Sequence, residues 1–350
     1  MLLDTIAGLF SSDLAVDLGT ASTLIYVKGT GIVLKEPTVV AISRITGEVM
    51  AVGSEAKAML GKAPGTVSVI RPLKDGVISH LPAAEYLLRN FIERVHRRRS
   101  LIRPRAIVGV PSGIRDPERR AVRDAVEQAG ARRVYLVEQP RAAALGAGLP
   151  IEEPAGNMIV DMGGGTTEVA VISMGQTVAG HSERVGGDEL DEAIVDYLRR
   201  SYNVLIGLSS AEQVKITIGS AYPLKEEMKM AVKGRDMVTG LPRTIEISSQ
   251  EVRQALEEPL LAIIGSIRST LERTPPELSA DLTERGIVLS GGGSLLRNLD
   301  IRLSEETGVA VHRVEDPVSC VVRGAGKLLD GRTDLLDLMT LEEHEYPEYN

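Results

Sequence analysis

The chain has 350 residues, of which 43% are hydrophobic and 25% charged, and its formal net charge is −8. This is the composition of a soluble globular protein with room for two domains of ordinary size, and the negative charge argues against nucleic acid as a partner. The single cysteine excludes a disulfide within the chain and favours a reducing cytoplasm, and no run of about 18 apolar residues that would span a membrane is present.

Residues 1–10 predict a short amphipathic helix. Its bulky apolar side chains share one helical face, and they are Leu2, Leu3, Ile6, Leu9 and Phe10. Two interpretations are open: a terminus that packs on the body of the protein, and a helix that lies in a membrane interface. Asp4 and the absence of Lys and Arg from the segment weaken the membrane interpretation.

An apolar run, an acidic turn and a second apolar run follow at residues 14–27. The first run ends at Asp17, and the turn carries Thr20, Ala21 and Ser22 before the chain becomes apolar again. This order predicts a strand, a tight turn and a second strand. Such a turn offers backbone N–H groups and hydroxyl groups to a phosphate.

A basic segment, residues 96–105, surrounds the adjacent apolar pair Leu101 and Ile102 with five arginines. A solvated basic loop is one interpretation. Contact with an anionic membrane surface is the other, because each cation near such a surface contributes about 1 kcal/mol. Together with the N-terminal helix, this segment favours peripheral contact with a membrane.

Strands and helices alternate after this segment, which predicts a mainly parallel sheet covered by helices. Residues 106–110 and 134–137 have the character of strands, with a helix at 117–128 between them. Glu138 and Gln139 follow the second strand, where an open α/β sheet presents its functional groups. Gln139 would orient an attacking water through its amide, whereas Glu138 would act as a base. Adjacent strand residues point to opposite faces, so we expect only one of them in the site.

The most informative motif is a second acidic hairpin at residues 158–172. Asp161 ends its first apolar run, and its turn contains three glycines, residues 163–165, followed by Thr166. Consecutive glycines let the backbone approach a polyphosphate closely, and an acid beside them suits Mg²⁺ and its waters. Two such hairpins facing one another would clamp a nucleotide from both sides of a cleft.

Two later features extend this nucleotide site. Glu212 and Lys215 share one face of a predicted helix, where they would contact a ribose and an adenine edge or form a surface ion pair. The strand at 286–290 leads through three glycines into a helix, whose free N–H groups would hold a nucleoside or a phosphate unless the glycines are only a structural turn. A long helix is predicted for 249–273, with a kink or restart at Pro259.

Taken in order, the motifs resemble a known superfamily. They are Asp17-Leu-Gly-Thr20, Glu138-Gln-Pro140, Asp161-Met-Gly-Gly-Gly-Thr-Thr167, Gly186-Gly-Asp188 and Ser290-Gly-Gly-Gly-Ser294. This order is similar to that of the actin, sugar kinase and heat-shock chaperone ATPase superfamily. The stretches between the motifs most resemble the MreB family of bacterial actins, for example Ile218-Gly-Ser-Ala-Tyr-Pro223 and Glu315-Asp-Pro-Val-Ser-Cys320. The likeness covers about residues 12 to 330.

The resemblance implies an α/β, actin-like ATPase fold. Such a fold has two ribonuclease-H-like domains, each with a smaller inserted subdomain, and a nucleotide in the central cleft. The implied division is an N-terminal amphipathic segment at 1–12, subdomain IA at 13–40, 74–153 and 323–340, subdomain IB at 41–73, subdomain IIA at 154–189 and 254–322, subdomain IIB at 190–253, and an acidic tail at 341–350.

The resemblance also implies which residues bind ATP and Mg²⁺. The phosphate contacts match Thr20, Ala21 and Ser22 on one side and Gly164, Gly165 and Thr166 on the other. The nucleoside contacts match Glu212, Gln213, Val214, Lys215, Gly292, Gly293, Ser294 and Leu295. Asp17 and Asp161 match the acids that hold Mg²⁺ through water, and the catalytic positions match Gln139 and Thr166. Leu101 and Ile102 match a membrane-insertion loop, and the first ten residues match the amphipathic helix that some members carry.

For function, the resemblance implies ATP hydrolysis coupled to self-assembly into antiparallel double protofilaments. The filaments would lie on the inner face of the cytoplasmic membrane and, with membrane proteins of cell-wall elongation, organise rod shape. The protein would thus be cytoplasmic and peripherally membrane-associated. The family usually has Glu-Glu-Pro where this chain has Glu138-Gln139-Pro140, so we expect slow hydrolysis that depends on filament formation. Arg141 stands where Met is usual.

Three other functions are weighed against this one. A specialised actin-like paralogue would have another cytoskeletal role. A chaperone ATPase would need a substrate-binding domain, and only an acidic segment of about 20 residues follows the last predicted core helix. A small-molecule kinase would need a general base and a substrate pocket, and no candidate base stands apart from the nucleotide motifs.

Overall fold

The structure is a computed structural model that describes residues 13–95 and 103–331. Its first half contains β1 (Leu14–Leu18), β2 (Ser22–Val27), β3 (Gly31–Pro37), β4 (Val40–Ser43), β5 (Val49–Val52), α1 (Ser54–Ala58), β6 (Val67–Ile70), β7 (Leu73–Lys74), β8 (Val77–Ile78), α2 (Leu81–Val95), β9 (Arg105–Val110), α3 (Asp116–Gln128), β10 (Arg133–Glu138) and α4 (Gln139–Ala147). Its second half contains β11 (Asn157–Met162), β12 (Thr167–Ser173), β13 (Gln176–Glu183), α5 (Gly187–Tyr202), β14 (Val204–Leu205), α6 (Leu208–Ile218), β15 (Lys229–Asp236), β16 (Pro242–Ser248), α7 (Ser249–Ala255), α8 (Glu257–Glu272), α9 (Pro276–Arg285), β17 (Ile287–Ser290), a 3-10 helix (Gly292–Leu295), α10 (Leu299–Thr307), β18 (Val311–Arg313), a second 3-10 helix (Pro317–Ser319) and α11 (Cys320–Leu329).

Two five-stranded sheets are built on the same plan. The first has the order β10-β9-β1-β2-β3, and the second has the order β18-β17-β11-β12-β13. In each sheet the first strand of an antiparallel hairpin, β1 or β11, also pairs in parallel with a later strand, β9 or β17. The chain therefore contains one arrangement twice, as the repeated acidic hairpin predicts.

Each large sheet is accompanied by a smaller one. The sheet β5-β4-β6 lies between β3 and α2 along the chain, and the sheet β14-β15-β16 lies between α5 and α7. The hairpin β15–β16 is the longer of the two small hairpins, and its turn follows Asp236.

The two central strands of the second sheet are buried along their whole length. Val169 and Val171 pack in the core of their own domain. Ala170 and Ile172, on the other face of β12, belong to a separate core that also contains Ala15 of β1 and the buried residues of α4 and α11. We call this cluster the interdomain core. Because it covers the second face of each sheet, the strands are continuous apolar runs and do not alternate.

Two expectations about the second half are refined. The predicted helix over 249–273 is two helices, α7 and α8, with Leu256 between them. Pro259 lies in the first turn of α8, where its missing N–H removes no helical hydrogen bond. The predicted boundary between residues 322 and 323 falls inside α11. Within the described ranges, no helix is long and apolar enough to cross a bilayer.

Candidate functional site

The carboxyl ends of the central strands of both sheets meet around one cavity of about 790 Å³. Asp17 lies near the end of β1, Asp161 lies near the end of β11, and Gln139 begins α4 directly after β10. All three line the cavity. Parallel strands present their carboxyl ends at one edge of a sheet, so the fold brings the two predicted acids and the predicted water-orienting amide together.

The turns of the two acidic hairpins face one another across this cavity. Each turn is closed by a hydrogen bond to the carbonyl three residues later, from the Gly19 N–H at 3.1 Å and from the Gly163 N–H at 2.8 Å. A Cβ atom on Gly164 would lie 2.6 Å from the Cβ of Ala21, so only glycine fits where the turns touch. The predicted phosphate contacts that line the cavity are Thr20, Ala21, Ser22, Gly164, Gly165 and Thr166.

The two acids at the floor of the cavity are held away from bulk water. Desolvation raises the pKa of Asp17 to about 8, the neighbouring charge of Asp161 adds to the rise, and a hydrogen bond with the Gln139 side chain opposes it. Burial likewise raises the pKa of Asp161 to about 6, although the Ser290 hydroxyl donates a hydrogen bond of 2.6 Å to its carboxylate. A cation between these carboxyls would favour the charged form of both.

Gln139 and Glu138 point in different directions, with Glu138 at the end of β10 and Gln139 at the start of α4. Gln139 is 7% exposed and lines the cavity. Glu138 does not line it, and its carboxylate instead accepts a hydrogen bond of 3.3 Å from Thr177 Oγ1. The amide, and not the carboxylate, therefore faces the site.

Helix α6 presents two of its four predicted nucleoside contacts to the cavity. Glu212 and Lys215 line it, but they do not form the surface ion pair that their spacing allows. Glu212 instead pairs with Lys57 of α1 at 2.9 Å, and Lys215 pairs with Asp191 of α5 at 2.8 Å. Burial raises the pKa of Asp191 to about 6, although the Lys215 charge lowers it.

Gln213 and Val214, the other two residues predicted on this helix, do not line the cavity. Val214 is buried on the face that α6 turns toward the core of the second domain. Gln213 is exposed, and its amide donates a hydrogen bond of 2.9 Å to Thr217 Oγ1. Successive helical residues are turned by about 100°, so four in a row cannot all face one cavity.

The triple glycine after β17 leads into a 3-10 helix and not into an α-helix. Gly291 has a φ of 78°, and a Cβ atom there would lie 2.3 Å from the Met162 carbonyl oxygen, so the turn requires glycine. Gly292, Gly293 and Leu295 line the cavity. Ser294 does not, because its buried hydroxyl donates a hydrogen bond of 2.7 Å to the Gly291 carbonyl.

The repeated sheet and the facing hairpins agree with the family comparison. The MreB/Mbl protein family model matches residues 11–337. The chain belongs to the MreB/Mbl family.

Relatives in the MreB/Mbl family cover nearly the whole chain. The cell shape-determining protein MreB of Escherichia coli (strain K12) is 52% identical over 335 residues, which cover 94% of this chain and 96% of that protein. The cell shape-determining protein Mbl of Bacillus subtilis (strain 168) is 46% identical over 327 residues, which cover 93% and 98%. Crystal structures of MreB5 of Spiroplasma citri bound to AMPPNP and to ADP each match with a TM-score of 0.88 at 37% identity, covering 93% of this chain and 97% of that one. The predicted family and the predicted actin-like α/β fold are thereby confirmed.

Sequence reasoning missed two basic residues at the mouth of this MreB/Mbl cleft, Lys57 and Arg71. Arg71, directly after β6, forms an ion pair with Asp188 at the start of α5. The Lys57–Glu212 pair bridges the same opening. Asp188 belongs to the motif Gly186-Gly-Asp188, whereas Lys57 and Arg71 carry no sequence signal, because their partners are distant along the chain.

The two predicted membrane segments lie outside the residues that the structure describes. They include every predicted membrane contact, namely Leu2, Leu3, Ile6, Leu9, Phe10, Leu101 and Ile102.

Proposed function

We propose that this protein is an ATP-dependent, filament-forming bacterial actin that determines rod shape. Its subunits assemble into antiparallel double protofilaments on the inner face of the cytoplasmic membrane and, with membrane proteins of cell-wall elongation, organise wall growth. The observation that carries the proposal is the contact between two acid-led turns across one cavity, in a chain of the MreB/Mbl family.

ATP with Mg²⁺ suits the chemistry of the cavity. The two turns supply backbone N–H groups to the phosphates, and Thr166 adds a hydroxyl group. Asp17 and Asp161 hold the cation through water, because two buried carboxyls with raised pKa values gain most from a nearby divalent charge. The binding of AMPPNP and ADP by the MreB5 relative supports this assignment.

ATP hydrolysis in this cavity uses Gln139 to orient the attacking water, with Thr166 beside the phosphate. The amide accepts and donates hydrogen bonds but does not take the proton from the water, so hydrolysis is slow. Filament formation accelerates it by changing the position of the two domains around α4. The placement of Gln139 beside Asp17 supports this role.

Exposed apolar side chains at the ends of the small sheets support self-assembly. Ile45, between β4 and β5, is 78% exposed, and Val238, between β15 and β16, is 81% exposed. The second turn is held by Asp236, whose carboxylate accepts hydrogen bonds of 2.9 Å from the N–H groups of Val238 and Thr239. Ordered apolar tips of this kind are suited to contact with a second copy of the chain.

The two predicted membrane segments each precede an inner strand of the first large sheet. β1 pairs in parallel with β9, with Leu14 opposite Ala106, so residues 1–12 and 96–102 precede neighbouring strands at the same end. Asp13 and Arg105 link these strands there through an ion pair of 2.6 Å. One flat surface is therefore within reach of both segments, which supports peripheral membrane association.

Sedimentation of the purified protein tests the proposal. With Mg-ATP, and not without nucleotide, the protein is expected to pellet, and electron microscopy with anionic vesicles is expected to show paired filaments on lipid. A protein that stays monomeric with Mg-ATP and transfers phosphate to a sugar would contradict the proposal and favour a small-molecule kinase.

A further inference from the structure

Glu138 and Arg141, on either side of Gln139, bind neighbouring residues of the second domain, Thr177 and Gly175. The Arg141 guanidinium donates a hydrogen bond of 2.7 Å from Nη2 to the carbonyl oxygen of Gly175, between β12 and β13. The Glu138 carboxylate accepts its hydrogen bond of 3.3 Å from Thr177, at the start of β13. The first turn of α4 is thus attached to the opposite domain on both sides of Gln139.

The Arg141 side chain is a charged group buried at the boundary between the two domains. It is 4% exposed, and it stays protonated even though desolvation lowers its pKa. The Glu138 charge opposes that lowering. A buried cation is destabilising unless acceptors surround it, whereas an apolar side chain of similar length would fill the same space with no fixed partner. The hydrogen bond of Arg141 to Gly175 therefore fixes the position of the first turn of α4 more closely than apolar packing alone would.

The turn that receives Arg141 is itself fixed. The Gly175 N–H donates a hydrogen bond of 2.7 Å to the Ile151 carbonyl, and the Met174 N–H donates one of 3.0 Å to the Glu153 carbonyl. Residues 151–153 belong to the connection between α4 and β11. The start of α4 and the connection that follows it are thus joined to one rigid turn.

We infer that the Arg141–Gly175 and Glu138–Thr177 hydrogen bonds form a clamp that positions Gln139 for hydrolysis. Arg141 is a positioning residue, because it touches neither the nucleotide cavity nor the attacking water and acts through the first turn of α4. The inference rests on the proposed role of Gln139. It gives a reason for an arginine two residues after the water-orienting amide.

Single-turnover ATP hydrolysis measures the effect of the clamp. Arg141→Met is expected to lower the rate about 10-fold, because small displacements of a catalytic group are costly, while ATP affinity changes by less than about twofold. Arg141→Lys, which keeps a charged donor, restores most of the rate. Should Arg141→Met fail to fold, Thr177→Val removes the other bond with little change of shape and is expected to slow hydrolysis as well.

The decisive measurement combines the change with Gln139→Ala. If Arg141 acts through Gln139, Arg141→Met causes no further loss in the Gln139→Ala background. An equal loss in both backgrounds would mean a merely structural role and would overturn the inference. Unchanged hydrolysis by Gln139→Ala would instead overturn the proposed role of Gln139.

Lys327→Met is the matched control. The Lys327 ammonium donates a hydrogen bond of 2.7 Å to the Leu145 carbonyl, at the other end of α4. Lys327 belongs to α11, so its replacement removes a cation that contacts the far end of α4 and leaves the clamp in place. The hydrolysis rate is expected to stay within about twofold of the unmodified protein. A loss equal to that of Arg141→Met would show that any loosening of α4 suffices, and would also overturn the inference.

Discussion

A Cβ atom on Gly324 would lie 1.8 Å from the carbonyl oxygen of Ala142. Gly146 has the reciprocal relation, since a Cβ atom there would lie 1.9 Å from the carbonyl oxygen of Cys320. Helices α4 and α11 therefore cross in backbone contact within the interdomain core. Gln139 is the first residue of the helix that this contact holds in place.

We expect Gly324→Ala to destabilise the protein by more than about 3 kcal/mol, because the added methyl group forces the two helices apart. The melting temperature is expected to fall by roughly 5–10 °C. Gly265→Ala is the control, because Gly265 lies in the middle of α8 with nothing within 4 Å of the added atom. That change is expected to be neutral or slightly stabilising. Equal melting temperatures for Gly324→Ala and the unmodified protein would contradict the backbone contact.

The second prediction concerns Gln139, the residue proposed to orient the attacking water. Gln139→Glu is expected to raise the single-turnover rate of ATP hydrolysis about 10-fold or more, because a carboxylate takes a proton from water and an amide does not. The surroundings favour a base active near neutral pH, since Asp17 and Asp161 already have raised pKa values there. Equal or slower hydrolysis would refute the role assigned to Gln139.

Glu168 is the basis of a prediction about pH. Its side chain is 1% exposed and crosses between the domains, accepting hydrogen bonds of 3.1 Å from the Ser112 N–H and 2.6 Å from the Ser182 hydroxyl. Burial raises its pKa from 4.5 to about 7. The folded protein therefore holds this proton between these two pH values while the unfolded chain has released it. The contribution of Glu168 to the free energy of unfolding is therefore largest below pH 4.5, and it is lost as the pH rises to about 7.

Glu168→Gln removes this titration and keeps both hydrogen-bonding positions. We expect the variant to resemble the unmodified protein at pH 5 and to exceed it at pH 8, by on the order of 1–3 kcal/mol in the free energy of unfolding. Denaturant unfolding at both pH values measures the difference. Glu272→Gln, at an exposed position on α8, should show no such change with pH. A stability difference that is the same at pH 5 and pH 8 would argue against the raised pKa.

The fourth prediction concerns lipid. Replacing both Leu101 and Ile102 by Ser is expected to abolish pelleting with anionic vesicles. The neighbouring arginines would attract the segment to the anionic lipid surface, and the apolar pair would then insert into it. Leu261→Ser with Ile301→Ser is the matched control, since this pair has the same residue types and is exposed in the second domain. Undiminished pelleting by the first double variant would exclude Leu101 and Ile102 as the membrane contact.

The sequence predicts those parts of the fold and site that depend on local signals. Each acidic hairpin is formed by one continuous segment of the chain, so Asp17 and Asp161 could be found from strand and turn patterns alone. Gln213 and Val214 lie away from the cavity lining for a local reason as well, because a matched stretch of sequence ignores which way each helical residue points. Lys57 and Arg71 could not be found, since their significance depends on how the two domains meet across the cleft.

Cys320 is the only thiol in the chain, and it lies 2% exposed at the start of α11. Burial raises its pKa to about 12. Since the thiolate is the reactive form, alkylating dyes at neutral pH leave it untouched. A cysteine introduced at the exposed Val238 would then be the sole labelling position, and fluorescence from that one dye would report on subunit docking in real time without any background cysteine having to be removed.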